Sequence, residues 1–423
     1  MKKSKISPPP FFKWLIWALA AAFYLYEFVL RVSPSVMIPE LMKSFNITAS
    51  SIGILSAFYL YTYAPMQLPV GALMDRYGIK KILSIASIVC GLGALFFAIG
   101  RHFYIACIGR SLIGIGSSFA FIAMVYVSSH WFTKNKRAFL IGIANSLAML
   151  GASAGAGGPL ASVIHTIGWQ KTIAIFGIFG IFLGIVIYFI FKIAPKDYES
   201  EEKSSHNKMH LFENLKSVMK KKETWIIACG ALFFYTTTTA FGGLWGLSFI
   251  QTAYGVSKET AGYAVSMIFA GWLIGGPLTG FFSDFLGKRN TAIRIGIIGT
   301  LLCLIPVIYL PSISIYVVYV LLFLVGFFSS AELLSFSFAI EINDARAKAS
   351  AAAFTNFLIS CGDALVQPLV GFLLDSNWSG ALENGIRVYG IKSYQLALTA
   401  LPIALIIAFF LLFFIKEKKL IKD

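Results

Sequence analysis

Twelve apolar runs, separated by short polar breaks, divide the chain. Each is long enough to cross a bilayer at roughly 20 residues per crossing. The first six lie near 13–33, 51–72, 82–100, 103–127, 138–164 and 171–192; the last six near 224–249, 260–282, 292–310, 314–339, 349–373 and 394–415. In lipid every backbone N–H and C=O must be satisfied within the segment, so such runs predict helices. The alternation of an outer-membrane barrel strand is absent from the runs. The 37 glycines suit closely packed membrane helices. Composition agrees: 58% of the 423 residues are hydrophobic and 13% charged, against about 45–50% and about 25% in soluble domains. A soluble enzyme, a DNA-binding protein and a disulfide scaffold are excluded.

The net charge of +16 alone would suggest nucleic acid; its placement does not. With the N-terminus inside, 27 of the 35 Lys and Arg fall on that side, six on the other, and Arg31 and Arg110 within spans. This is the bias of a membrane protein with both termini cytoplasmic, and no nucleic-acid partner is expected. Lys2, Lys3 and Lys5 before an apolar run imitate a signal peptide. That run carries Glu27 and Arg31 and leads into further spans, so it is read as an uncleaved first helix. The cysteines Cys90, Cys107, Cys229, Cys303 and Cys361 lie in apolar stretches without a CxxC pair. They are read as small apolar residues, and neither a metal nor another cofactor is expected.

The stretch 195–223 is polar and charged. It divides the chain into a six-span half at 1–194, a cytoplasmic linker at 195–223 and a second six-span half at 224–423. After the second span stand Gly71, Asp75, Arg76, Gly78, Lys80 and Lys81; after the eighth stand Gly280, Asp284, Gly287, Lys288 and Arg289. Both loops have Gly, Asp at +4, Gly at +7 and then basic residues, 209 residues apart. The repeat is parallel, as in two halves related by an axis along the membrane normal.

On these residues the chain resembles the major facilitator superfamily. The loop at 71–81 matches the family's G-x-L-x-D-R-x-G-x-K/R-K/R signature. The fourth span adds Arg110-Ser-Leu-Ile-Gly114-Ile-Gly116, similar to the family's R-x-x-q-G-x-g pattern with Ile113 in place of Gln. The Gly151–Pro159 stretch only partly resembles the motif of the family's exporters, so transport direction does not rest on it. The second loop departs at Phe285, where the first has Arg76. The first span and layout resemble bacterial nutrient importers such as phagosomal amino-acid transporters and, distantly, the lysosomal dipeptide uniporter. The resemblance implies an all-α membrane protein of twelve transmembrane helices in two pseudo-symmetric six-helix halves, in a bacterial inner membrane. Spans 1, 4, 7 and 10 would line a central cavity, with 2, 5, 8 and 11 beside them and 3, 6, 9 and 12 outside. It also implies that Asp75 meets the N-terminus of the eleventh helix, making the two loops a cytoplasmic gate. The alternative is a basic loop that only sets topology.

A charge at mid-bilayer costs about 2.5–3.5 kcal/mol on insertion scales, so intramembrane charges are functional candidates. Glu27, Arg31, Arg110, Glu332 and Asp363 lie well inside spans, none in 3, 6, 9 or 12. Glu27 and Arg31, at i and i+4, share a helix face with Tyr24. They form either a self-neutralising structural pair or a cavity-facing acid and base suited to a zwitterion, in which Glu27 binds an ammonium or carries a proton. Arg110 is either a coupling residue, as resemblance implies, or a structural hydrogen-bonding side chain. Asn356, Ser360, Asp363 and Gln367, spaced 4, 3 and 4, make one helical stripe that faces the cavity or a neighbouring helix. Glu332 is a second proton-carrier candidate or part of the gate. Asn145 and Trp245 are further candidate contacts, Trp245 alternatively an interfacial anchor. The run Thr236–Thr239 is either polar lining or helix packing.

No P-loop is present, so transport driven by the chain's own ATP hydrolysis is not expected. No nucleophile–base pair or metal set supports a membrane enzyme, and the tails are too short for a sensor. The expected function is secondary transport by alternating access, as a monomer, coupling protons to uptake of an amino acid or short peptide. Organic-anion or sugar-acid uptake is the alternative, followed by drug or siderophore efflux and passive uniport.

Overall fold

The computed structural model describes residues 10–192 and 208–415. Among them, eleven helices are long and apolar enough to cross a membrane. The remaining predicted crossing, the second, is the helix Ala49–Met66. Tyr59, Tyr61, Tyr63 and three serines make it less apolar than the others. It breaks after Pro65, and a short helix, Val70–Tyr77, carries the chain to Gly78, whose φ of 78° makes the turn. The fold is that of an all-α membrane protein with two six-helix halves.

The contacts repeat between the halves. In the first, span 3 packs on 4 and 6, span 1 on 5, and span 2 on 4; in the second, 9 packs on 10 and 12, 7 on 11, and 8 on 10. Each pairing in one half has its counterpart six spans later, the structural form of the sequence repeat. The halves meet chiefly through span 2 against span 11 and span 5 against span 8. Small residues permit both contacts. A Cβ on Gly371 would fall 2.4 Å from the Ala49 carbonyl oxygen, and one on Gly262 would fall 2.6 Å from the Gly158 nitrogen.

Three features depart from a plain helix count. Span 7 is α-helical over Lys222–Thr236, widens to a π-helix at Thr237–Trp245, and resumes over Gly246–Tyr254. Span 10 passes through a 3-10 turn at Ser330–Leu333. A two-stranded hairpin, Leu382–Glu383 with Ile386–Arg387, stands between spans 11 and 12, its turn made by Asn384 and Gly385 at positive φ. Residues 195–207 of the predicted linker lie outside the described residues. Its remainder is largely the helix Lys208–Lys220, whose Leu215 and Val218 pack on Ala228, Ala347, Ala351 and Phe354. Both ends of the described chain and this helix lie on one face of the bundle, the terminal face. All five cysteines are free.

Candidate functional site

A cavity of about 30 Å³ lies between the halves, within a wider space that includes open solvent. Spans 1, 2, 4 and 5 supply Phe28, Arg31, Val32, Ser56, Tyr59, Leu60, Arg110 and Met149. Spans 7, 8 and 11 supply Tyr235, Thr238, Thr239, Gly243, Phe269, Asp363 and Gln367.

On the first-half wall Arg31 donates from Nε to the Tyr59 hydroxyl at 2.9 Å and from Nη2 to Glu27 Oε1 at 3.2 Å. Tyr59 in turn donates to Glu27 Oε2 at 3.4 Å. The guanidinium lies 4.6 Å from the ring centres of both Phe28 and Tyr63, positions in which ring quadrupoles attract a cation. Glu27 is 1% exposed and Arg31 17%. The acid therefore stands behind the base, and the base meets the cavity. Tyr24, also buried, donates to Asn145 Oδ1 at 3.2 Å and so ties span 1 to span 5.

Arg110 has a different task. Pro34 has no N–H, so the Leu30 carbonyl loses its helical partner four residues on. Arg110 Nη1 donates to that carbonyl at 2.8 Å, and Nη2 donates to the Arg31 and Ser56 carbonyls at 3.1 and 3.5 Å. Both terminal nitrogens hold backbone where the first helix breaks, while the side chain borders the cavity.

On the second-half wall Thr239 donates to Asp363 Oδ1 at 2.5 Å. Thr238 donates to Ser329, and Trp272 donates to both hydroxyls, at 3.1 and 2.8 Å. Thr236 returns to its own helix at the Phe233 carbonyl. The threonine run therefore divides between cavity lining and packing. The polar stripe of span 11 divides too. Asp363 and Gln367 reach the cavity; Ser360 donates to its own backbone at Asn356, and Asn356 is half-buried outside the lining.

Trp245 is 1% exposed and donates to the Gln367 carbonyl at 3.1 Å, which excludes the interfacial-anchor alternative. It joins spans 7 and 11 and is not part of the lining. Glu332 sits in the 3-10 turn of span 10, 2% exposed, away from the lining, with Oε1 unpartnered in the structure. Tyr59, Tyr63 and Tyr235 were not singled out from the sequence. The i, i+4 spacing of Tyr59 and Tyr63 was the available signal, and their rings stack 5.5 Å apart.

The two repeat loops lie on the terminal face. Arg76 is exposed and stands over Tyr77, Lys80 stands 4.3 Å from the Tyr188 ring centre, and Lys81 is exposed. The Asp75 side chain lies outside the described residues. Gly71, Gly78, Gly280 and Gly287 face open space. Arg289 donates to Asp284 at 2.5 Å and to Glu341 at 3.2 Å, both in its own half. Lys288 precedes it as the N-cap of span 9, and Phe285 is 72% exposed. Among the described residues neither loop makes a hydrogen bond or ion pair to the other half.

The opposite face is joined. Lys258 pairs with Glu40, and Asp375 at the end of span 11 accepts hydrogen bonds from Thr48 and Ser50 at the start of span 2. The cavity is thus shut from the face opposite the termini.

A bundle of this topology around a cavity that carries Arg31 and Asp363 on facing walls is the architecture of a membrane transporter. The family model of the Major Facilitator Superfamily matches residues 16–245 and 227–423, and the chain belongs to that family. It is 24% identical over 316 residues to a probable sulfoacetate transporter of Cupriavidus necator, covering 70% of this chain and 72% of that protein. It is 23% identical over 389 residues to the hexuronate transporter of Bacillus subtilis, covering 85% and 88%. In fold it matches a bacterial homolog of the human lysosomal transporter Spinster, solved in an inward-facing, unoccupied conformation. The TM-score is 0.78 at 18% identity, over 96% of this chain and 97% of that one.

Proposed function

We propose that the chain imports a small hydroxylated organic anion, such as a sugar acid or sulfonate, together with a proton. The observation that carries this reading is Arg31: a guanidinium on the cavity wall, held by Tyr59 and backed by a buried acid. A forked guanidinium matches a carboxylate or sulfonate in two parallel hydrogen bonds. The names of the sulfoacetate and hexuronate transporters support the same class. Asp363 and Thr239 on the facing wall offer an acceptor and a hydroxyl to the hydroxyl groups of such a substrate.

Coupling follows from competition for Arg31. A substrate anion that takes the guanidinium leaves Glu27 without its counter-ion. Stranding one member of a buried pair costs about 3–5 kcal/mol. A proton on Glu27 removes that cost, so anion and proton enter together. With the termini cytoplasmic, as the Lys and Arg bias supports, the face joined by Lys258–Glu40 and Asp375 is the outer one. One chain supplies both walls of the cavity, which supports function as a monomer.

A second reading rests on Asp363, which stands in the other half from Arg31. An amino acid or dipeptide would place its carboxylate on Arg31 and its ammonium on Asp363. Uptake into proteoliposomes of labelled sulfoacetate, glucuronate, alanine and dialanine, each with and without an inward proton gradient, separates the two. Gradient-stimulated uptake of an anion supports the proposal. Stimulated uptake of alanine or dialanine alone replaces it with the zwitterion reading. Equal rates with no accumulation make the chain a uniporter and leave Glu27 structural.

A further inference from the structure

Spans 2 and 11 run antiparallel, so the N-terminus of span 2 lies beside the C-terminal end of span 11 on the face opposite the termini. Thr48 is the N-cap of span 2, a residue type that ordinarily caps its own helix. Here its side chain makes no such bond and donates instead to Asp375 Oδ2 at 2.7 Å. The Ser50 amide donates to the same oxygen at 2.8 Å, and the Ser50 hydroxyl also donates to it. The carboxylate of one half therefore caps a helix of the other, where the helix dipole favours negative charge. Its second oxygen stays within its own half, accepting from the Tyr389 hydroxyl at 2.5 Å and from Arg387 at 3.2 Å. Tyr389 extends the junction by accepting from the Ala49 amide at 3.1 Å. Burial first, and then the bond to Asp375, raises the Tyr389 phenol above its ordinary pKa, so it stays a donor.

We propose that Asp375 is the latch of this face: a trans-acting helix cap that holds spans 2 and 11 together while the cavity opens at the other end, and releases when the halves rock apart. The division of its bonds makes release reversible. When span 2 leaves, Arg387 and Tyr389 remain on the carboxylate, so the charge is not stranded. The freed Ser50 amide and the hydroxyls of Thr48 and Ser50 meet water at the membrane surface. The hairpin that carries Arg387 also packs against the first-half helix Ile38–Phe45, so it reports the separation of the halves. Asp375 is a positioning residue that sets which face is open. The proposal does not depend on the substrate.

The test uses the full-length protein in lipid nanodiscs, with spin labels at the exposed positions Lys43 and Glu383 on a cysteine-free background, and pulsed electron–electron distance measurement. Parent protein is expected to populate mainly the short distance. Asp375→Asn should raise the ratio of long to short populations by about tenfold, as expected for hydrogen bonds to a charged acceptor. Thr48→Val with Ser50→Ala should move it in the same direction with Asp375 intact. A folded Asp375→Asn protein with the parental distance distribution overturns the proposal. Should Asp375→Asn fail to fold, an unchanged distribution in the Thr48→Val, Ser50→Ala protein overturns it equally.

Discussion

The two ends of the span 2–span 11 contact are built differently. At the end away from the termini, one carboxylate gathers donors from both halves, and backbones touch through Gly371 and Gly53. At the terminal end, the repeat loops carry more charge, yet Arg289, Asp284 and Glu341 pair within one half and Arg76 is exposed. Closure is found where an acid meets a helix N-terminus and small residues let the helices approach. In sequence the terminal face has the acids and glycines of a comparable junction, and the described one of its two acids, Asp284, is held by Arg289 of its own half.

That contrast can be broken or sharpened by substitution. Gly371→Leu should have the largest effect. A side chain there meets the Ala49 carbonyl at 2.4 Å, and overpacking costs about 1–3 kcal/mol or more. The short Lys43–Glu383 distance should fall up to about a hundredfold in population. Glu27→Gln should abolish proton-driven accumulation in proteoliposomes while substrate exchange persists, since the amide stays neutral beside an occupied Arg31. Retained accumulation would remove Glu27 from coupling. Arg110→Met should remove the guanidinium from the Leu30, Arg31 and Ser56 carbonyls, leaving Leu30 the Ser33 hydroxyl, and lower stability by about 1–3 kcal/mol, read as a fall in melting temperature. Lys258→Ala should do least. Its pair with Glu40 is partly exposed, 18% and 36%, and solvent-screened pairs contribute about 0–1 kcal/mol, so the spin-label distances should barely move. A large shift would transfer the closing role from Asp375 to this ion pair.

Much of the architecture was legible in the chain. Apolar run length located the spans, and the repeat of Gly71 and Asp75 at Gly280 and Asp284 gave the parallel halves. Charge placement also pointed inward: Arg31, Arg110 and Asp363 reach the cavity wall, whereas Glu332 is buried away from it. A helical stripe indicates which side is polar but not which neighbour fills it, so Asn356 and Ser360 could not be separated from Asp363 and Gln367 by spacing. Pairing across the halves was beyond the pattern. Thr48 and Ser50 stand more than three hundred residues from Asp375, and the acid reads as an ordinary loop-edge charge.

Sequence alone determined that the chain must be helical, how often it crosses, and that it is two copies of one plan. Those properties follow from burying backbone in lipid, which every segment must solve locally. Tertiary structure decided that Arg110 holds backbone, that Glu27 stands behind Arg31, and that the face opposite the termini is shut. Each of these depends on which helices lie side by side. That is set by shape, by glycine at the crossings, and by polar groups that find partners only after the halves have met.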